Sequence, residues 1–154
     1  MHGVSWAIAV FVFVTEFFIK NYLANIPAFL SIPVINNILY ITVVFNKGAA
    51  FSILTGQTTF LIYVGIVFIV LFFILMMRER KRSFIYYASC GLILGGALSN
   101  LCDRIFLGYV IDYIDFKVWP VFNLADSCIT IGTLLLFINS FGKNGKNVDR
   151  SSRG

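Results

Sequence analysis

The sequence predicts an all-α membrane protein: four transmembrane helices, with a small extracytoplasmic β-rich segment between helices 1 and 2. Three observations predict it. Hydrophobic residues make up 59% of the 154 and charged residues only 12%, against roughly a quarter charged in soluble domains. The 17 Phe and a mean hydropathy of +0.89 give more apolar surface than so small a core hides from water, so lipid must solvate much of it. Four apolar runs of helical length recur along the chain, and a Pro- and Asn-containing stretch separates the first two. The length suits one domain. It covers 1–142, and a polar basic tail, 143–154, reads as disordered.

The first run, Val4 to Leu23, has no Lys or Arg before it and is interrupted by Glu16 and Lys20. It therefore reads as a retained helix and not as a signal peptide. Glu16 and Lys20 lie four apart in the order that favours a salt bridge on one helical face. Such a pair can also do no more than neutralise itself near the interface. From Ala24 to Thr55 the character changes: Pro27 and Pro33 break any helix, and Asn36-Asn37 signals a turn. Ile38 to Phe45, rich in β-branched and aromatic residues, predicts a strand. The following Asn46-Lys47-Gly48-Ala49-Ala50-Phe51 sets small residues, Gly48 first, where backbone can approach another surface closely. The segment reads as a small sheet on the membrane face, or as an ordinary interhelical loop.

Phe60 to Met77 holds 18 residues without a charge and ends at Arg78-Glu79-Arg80-Lys81-Arg82. That is a strong spanning signal. Phe84 to about Cys102 forms the third span and Leu124 to Phe141 the fourth. The loop after the second span carries four Lys/Arg and the tail four more, while Lys47, Arg104 and Lys117 lie on the other side. This excess places both termini in the cytoplasm and the Gly108–Ser127 stretch at the outer surface. The formal charge of +5 is thus accounted for by cytoplasmic loops and not by nucleic-acid binding. Cys90, Cys102 and Cys128 lack metal-ligand spacing, and His2 is the single histidine, so no metal site is expected. The three thiols read as small buried residues.

Carboxylates beside lipid need a reason. Asp112, Asp115 and Asp126 all fall within Gly108–Ser127. Two carboxyls brought together make an acid/base machine, because like charges push their pKa values apart. Asp112 and Asp126 read as that pair. Asn123 and Asp126 also have the spacing of a helix-capping box. If the Asp112–Asp115 segment is extended, its two acids face opposite ways and only one can meet Asp126. Composition does not say which. Near the end of the third span, Asn100 and Arg104 lie one turn apart and can offer an amide and a guanidinium to peptide carbonyls.

Four blocks carry a resemblance: Asn46-x-Gly48-Ala49-Ala50-Phe51, Gly95-Gly96-Ala97-x-x-Asn100-x-x-Asp103-Arg104, Val110-x-Asp112-Tyr113-Ile114 and Phe122-Asn123-x-Ala125-Asp126-Ser127. Together, in this order, they resemble the signature blocks of bacterial lipoprotein signal peptidase (signal peptidase II). The resemblance implies a four-helix inner-membrane aspartyl endopeptidase that cuts prolipoproteins before a diacylglyceryl-modified cysteine. It implies a monomer among membrane lipids, no cofactor, and inhibition by the cyclic peptide globomycin. It selects Asp112 and Asp126 as the catalytic pair, with Glu16, Lys20, Asn46, Gly48, Asn100, Arg104 and Asn123 in support. Three departures stand out. Glu16 replaces the usual Asp, Ser99 replaces a usual Gly, and Asp126 follows Asp112 by only 14 positions. A small multi-pass transporter or channel, with charges lining a path, is the alternative from another class, and a bare scaffold subunit a third.

Overall fold

A computed structural model describes residues 2–28, 30–49, 53–79 and 82–151. The elements run α1 (His2–Leu23), β1 (Ser31–Ile35), β2 (Leu39–Asn46), α2 (Thr58–Arg78), α3 (Phe84–Phe106), β3 (Val110–Asp115) and α4 (Leu124–Ser151). Ala50 and Phe51 of the first block, and Arg80 and Lys81 of the basic loop, lie outside the described residues.

Helix α3 is the hub, packing against α1, α2 and α4. Its small residues make this possible. A Cβ added at Gly95 would sit 2.7 Å from the Ala9 carbonyl of α1, and one at Gly96 would sit 2.5 Å from the Ala125 carbonyl of α4. In lipid, where no hydrophobic force draws helices together, such close approach supplies the packing. Ala9, Met76, Cys90 and Leu94 form the buried cluster among α1, α2 and α3. Ser83 caps α3, its hydroxyl accepting from the Tyr86 N–H at 3.2 Å.

By length and composition, α1, α2 and α3 are long and apolar enough to cross a membrane, whereas the apolar part of α4, Leu124–Ser140, is shorter. The backbone of α4 stays helical to Ser151, past the point at which the sequence reads as a disordered tail.

The all-α description needs correction. A three-stranded antiparallel sheet, ordered β1-β2-β3, stands beside the helices, and its third strand comes from between α3 and α4. A lone β1–β2 hairpin would be marginal. β3 adds a third strand and buries Val43, Ile111 and Tyr113 against Leu23 at the end of α1. The expected strand Ile38–Phe45 appears as Leu39–Asn46, one residue later. Register places Asp112 opposite Val44 and Asp115 opposite Tyr40, with a bulge in β2 between them.

The seam at Gly96 generates a test. Gly96→Ala forces the first turn of α4 away from α3, and overpacking of this kind costs about 1–3 kcal/mol. Thermal unfolding of the detergent-purified protein should show a lowered midpoint for Gly96→Ala. Gly3→Ala, with nothing within 4 Å of the new Cβ, should leave it in place. Equal midpoints would mean that the seam yields freely.

Candidate active site

The site begins with the first turn of α4. A helix N-terminus leaves its first N–H groups without intrahelical partners, and here they are turned toward protein. The Asn123 N–H donates to Asp126 Oδ2 at 3.2 Å, and the Asp126 N–H donates to Asn123 Oδ1 at 2.9 Å. This reciprocal pair is the capping box anticipated from spacing. The Leu124 N–H donates to the Tyr113 hydroxyl at 3.2 Å, and the Ala125 N–H donates to Glu16 Oε1. Tyr113 in turn donates its hydroxyl to Glu16 Oε2 at 3.3 Å. Cap and candidate-site geometry are therefore one structure: the box that satisfies the helix also orients the Asp126 carboxylate.

Asn123, fully buried, links the two acids. Its side-chain amide donates to Asp112 Oδ1 at 2.8 Å, to Asn100 Oδ1 at 3.0 Å and to the Ile111 carbonyl at 3.3 Å. Asp112 Oδ2 accepts from the Asn46 amide at 2.9 Å, and Asn46 Oδ1 accepts from the Gly48 N–H at 2.9 Å. Asn100 donates its own amide to Asp126 Oδ1 at 2.8 Å. Both aspartates, with Asn46, Asn100 and Arg104, line one cavity of about 830 Å³. Trp119, Pro120, Val121 and Phe122 form part of its apolar wall.

Lys20 is 3% exposed within α1. Its ammonium meets Asp103 Oδ2 at 2.8 Å, Asn100 Oδ1 at 3.0 Å and Ser99 Oγ at 3.2 Å, so three protons find three acceptors. The expected Glu16–Lys20 salt bridge does not form: Glu16 turns to α4 and Tyr113, and Lys20 to Asp103. By occupying Asn100 Oδ1, Lys20 leaves only the NH₂ of Asn100 to face Asp126. Ser99 contributes a hydroxyl to this lysine site. Asp103, whose Oδ2 also accepts from the Ile111 N–H at 3.2 Å, and Tyr113 lie outside the site residues expected from the sequence. The signal for Asp103 was present, since a lysine inside a span requires an opposite charge nearby.

Arg104 donates to the Asn100 carbonyl at 3.2 Å and to the Gly48 carbonyl at 3.1 Å. It joins the loop after β2 to the end of α3. Asp115 stands apart, on the opposite face of β3, with Thr42 and Lys117. Alternation along β3 therefore separates the two acids in the way expected. The Asp112 carboxyl is pushed up to about 7, by burial first and by the neighbouring Asp126, against the opposing Asn46 amide, Lys20 and Arg104. Burial also raises Asp115, but the hydrogen bonds from Lys117 and Thr42 outweigh it and hold that carboxyl below its ordinary value. Among the described residues no cluster of His, Cys, Asp and Glu is placed to hold a metal ion. Cys90 and Cys128 are buried and Cys102 is partly buried, all three as free thiols.

Known proteins resemble this chain in sequence and in fold. Residues 8–142 match the family described as Signal peptidase (SPase) II. The lipoprotein signal peptidase of Halothermothrix orenii is 47% identical over 108 residues, covering 70% of this chain and 74% of that protein. The lipoprotein signal peptidase of Caldicellulosiruptor bescii is 44% identical over 133 residues, covering 86% and 87% respectively. A bacterial membrane enzyme solved by the in meso method superposes with a TM-score of 0.87 at 33% identity, over 94% of this chain and 91% of that one. Sequence blocks, helix-and-sheet architecture and family match all agree, and the chain belongs to the signal peptidase II family of membrane-embedded peptidases.

Proposed function

We propose that this chain is an aspartyl endopeptidase that removes the signal peptide from diacylglyceryl-modified prolipoproteins, cutting before the lipidated cysteine. The observation that carries the reading is that Asp112 and Asp126 line one cavity while buried Asn123 holds both, its side-chain amide on Asp112 Oδ1 and its backbone N–H on Asp126 Oδ2. The names of the relatives in Halothermothrix orenii and Caldicellulosiruptor bescii supply the substrate class. The transporter or channel alternative has no support from the family match.

In this mechanism a water molecule lies between the two carboxyls. Asp112, whose buried carboxyl holds its proton up to about pH 7, donates that proton to the scissile carbonyl oxygen. Asp126 lies in the first turn of α4, where a helix favours negative charge, and it takes a proton from the attacking water. The tetrahedral species then collapses: the C–N bond breaks, Asp126 passes its proton to the leaving amine, and a hydroxyl proton returns to Asp112. Lys20, Asn46, Asn100 and Asn123 hold the pair, Glu16 holds the helix that carries Asp126, and Gly48 with Arg104 shapes the cavity edge. No metal or organic cofactor enters these steps.

The proposal includes four transmembrane spans, with α4 crossing through its apolar part. Both termini lie in the cytoplasm of a bacterial inner membrane, and the site lies near the outer face. The Lys/Arg asymmetry supports this orientation. The working unit is a monomer in lipid, and the cavity is where the peptide inhibitor globomycin would lodge.

Two tests follow from the pair. Asn is nearly isosteric with Asp but transfers no proton, so Asp112→Asn and Asp126→Asn should each abolish cleavage while the protein still accumulates in the membrane. Asp115→Asn should still mature the precursor. The readout is precursor against mature lipoprotein on a gel, in cells depleted of their own enzyme; full cleavage by Asp112→Asn would sink the assignment. The second test is pH. With its pKa raised from 3.8 to about 7 in the folded protein, Asp112 keeps its proton until pH rises through about 7; its contribution to stability is complete only below 3.8 and is lost progressively between those two values. Initial rates should therefore show an alkaline limb near pH 7. A rate that stays flat well beyond neutrality would remove Asp112 as the acid.

A further inference from the structure

The opposite face of the sheet carries a second polar network, buried at Asp115 and Thr42, that the chemistry above does not use. Asp115 is 5% exposed. Its Oδ2 accepts from Thr42 Oγ1 at 2.7 Å and from Lys117 Nζ at 2.6 Å, and its Oδ1 accepts from the Lys117 N–H at 2.8 Å. Lys117 Nζ also donates to Ser31 Oγ at 2.9 Å, and Ser31 Oγ lies 2.9 Å from Thr42 Oγ1. The four residues close a ring that crosses all three strands and takes in the first leg of the loop after β3. The ammonium also sits 4.5 Å from the centre of the Tyr40 ring, a favourable cation–π distance.

Two further facts give the ring a consequence for the cavity. Lys117 has φ of 63°, a left-handed conformation that costs a residue bearing a Cβ about 1–2 kcal/mol. Its backbone and side-chain bonds to Asp115 hold it there. The loop then turns back through Val118 and Trp119 and rejoins β3 where Phe122 pairs with Ile114. Its return leg, Trp119 to Phe122, is the apolar wall of the cavity that Asp112 and Asp126 line. The ring thus holds one leg of a short loop, and the other leg faces the site.

We propose that the Asp115–Lys117–Ser31–Thr42 ring is a latch that sets the position of the Trp119–Phe122 wall, which makes Lys117 and Asp115 positioning residues for substrate binding. This rests on the reading of the cavity as the peptidase's substrate site. The latch governs how tightly the precursor is held and leaves proton transfer at the two aspartates alone.

Initial rates of the purified full chain on a lipidated precursor peptide, over a range of concentrations, provide the test. The Lys117 side chain is 45% exposed, so Lys117→Met leaves no buried charge unpaired except that of Asp115, and Asp115→Asn removes that one as well. Each variant should raise KM about fivefold, the loss expected of one partly exposed ion pair with its hydrogen bonds, and keep kcat within about twofold. The alkaline limb near pH 7 should stay in place, and Lys117→Arg should restore most of the affinity. A purely structural role would lower the unfolding midpoint without this KM-against-kcat split, and that result overturns the latch. So does an unchanged KM in Lys117→Met, or a fall in kcat at constant KM. Absence of cleavage by the unaltered chain would overturn the peptidase reading instead.

Discussion

The unpaired N–H groups at the start of α4 are the constraint on which the rest of the molecule depends. They sit inside protein, and a buried donor without an acceptor costs about 1–3 kcal/mol. Asn123 and Asp126 satisfy two of them within the helix, while Tyr113 from β3 and Glu16 from α1 satisfy two more. One helix end thus fastens three elements together. It also fixes the Asp126 carboxylate at the cavity, with one oxygen on the Asn123 N–H and the other on the Asn100 amide of α3. A supporting shell that serves folding and site geometry together leaves little room for either to vary alone.

The same economy appears around Lys20. A lysine enclosed among helices is tolerable only with its charge balanced and its protons accepted. Asp103 balances the charge, and Ser99 and Asn100 take the remaining protons. Because the amide oxygen of Asn100 is thereby occupied, its NH₂ group has to face Asp126. The lysine acts on the site at one remove, as an orienting charge.

Much of this was legible in the residues. Long uncharged runs mark helices because lipid leaves backbone no other partner, and the bounds of α2 and α3 lie close to those runs. β2 was visible in its β-branched residues. The odd spacing of Asp112 and Asp115 separated a residue that faces the cavity from one that faces away. What was not legible depends on contacts far apart in sequence. The i, i+4 rule joined Glu16 to Lys20, but each has stronger partners from elsewhere: the former on β3 and α4, the latter on α3. β3 is short, and its strand character depends on β2 as a neighbour, so Val110–Asp115 alone could not announce a sheet. Its place beside β2 is what sets Asn46 against Asp112.

Helix α2 shows the reverse of all this coupling. Only Met76 among its residues is buried, and it packs on α3. Its 21 residues span about 31 Å at 1.5 Å per residue, close to the hydrocarbon thickness of a bilayer at about 30 Å. A thinner membrane is therefore met first by tilting this one rod, at a modest cost per ångström of mismatch, while the glycine seams keep α1, α3 and α4 as a unit. The arrangement gives the protein a compliant flank beside a stiff one, so changes in lipid composition fall on the element furthest from the two aspartates in mechanical terms. Most side chains on that flank need only be apolar, whereas those of α3 must also be small at Gly91, Gly95 and Gly96.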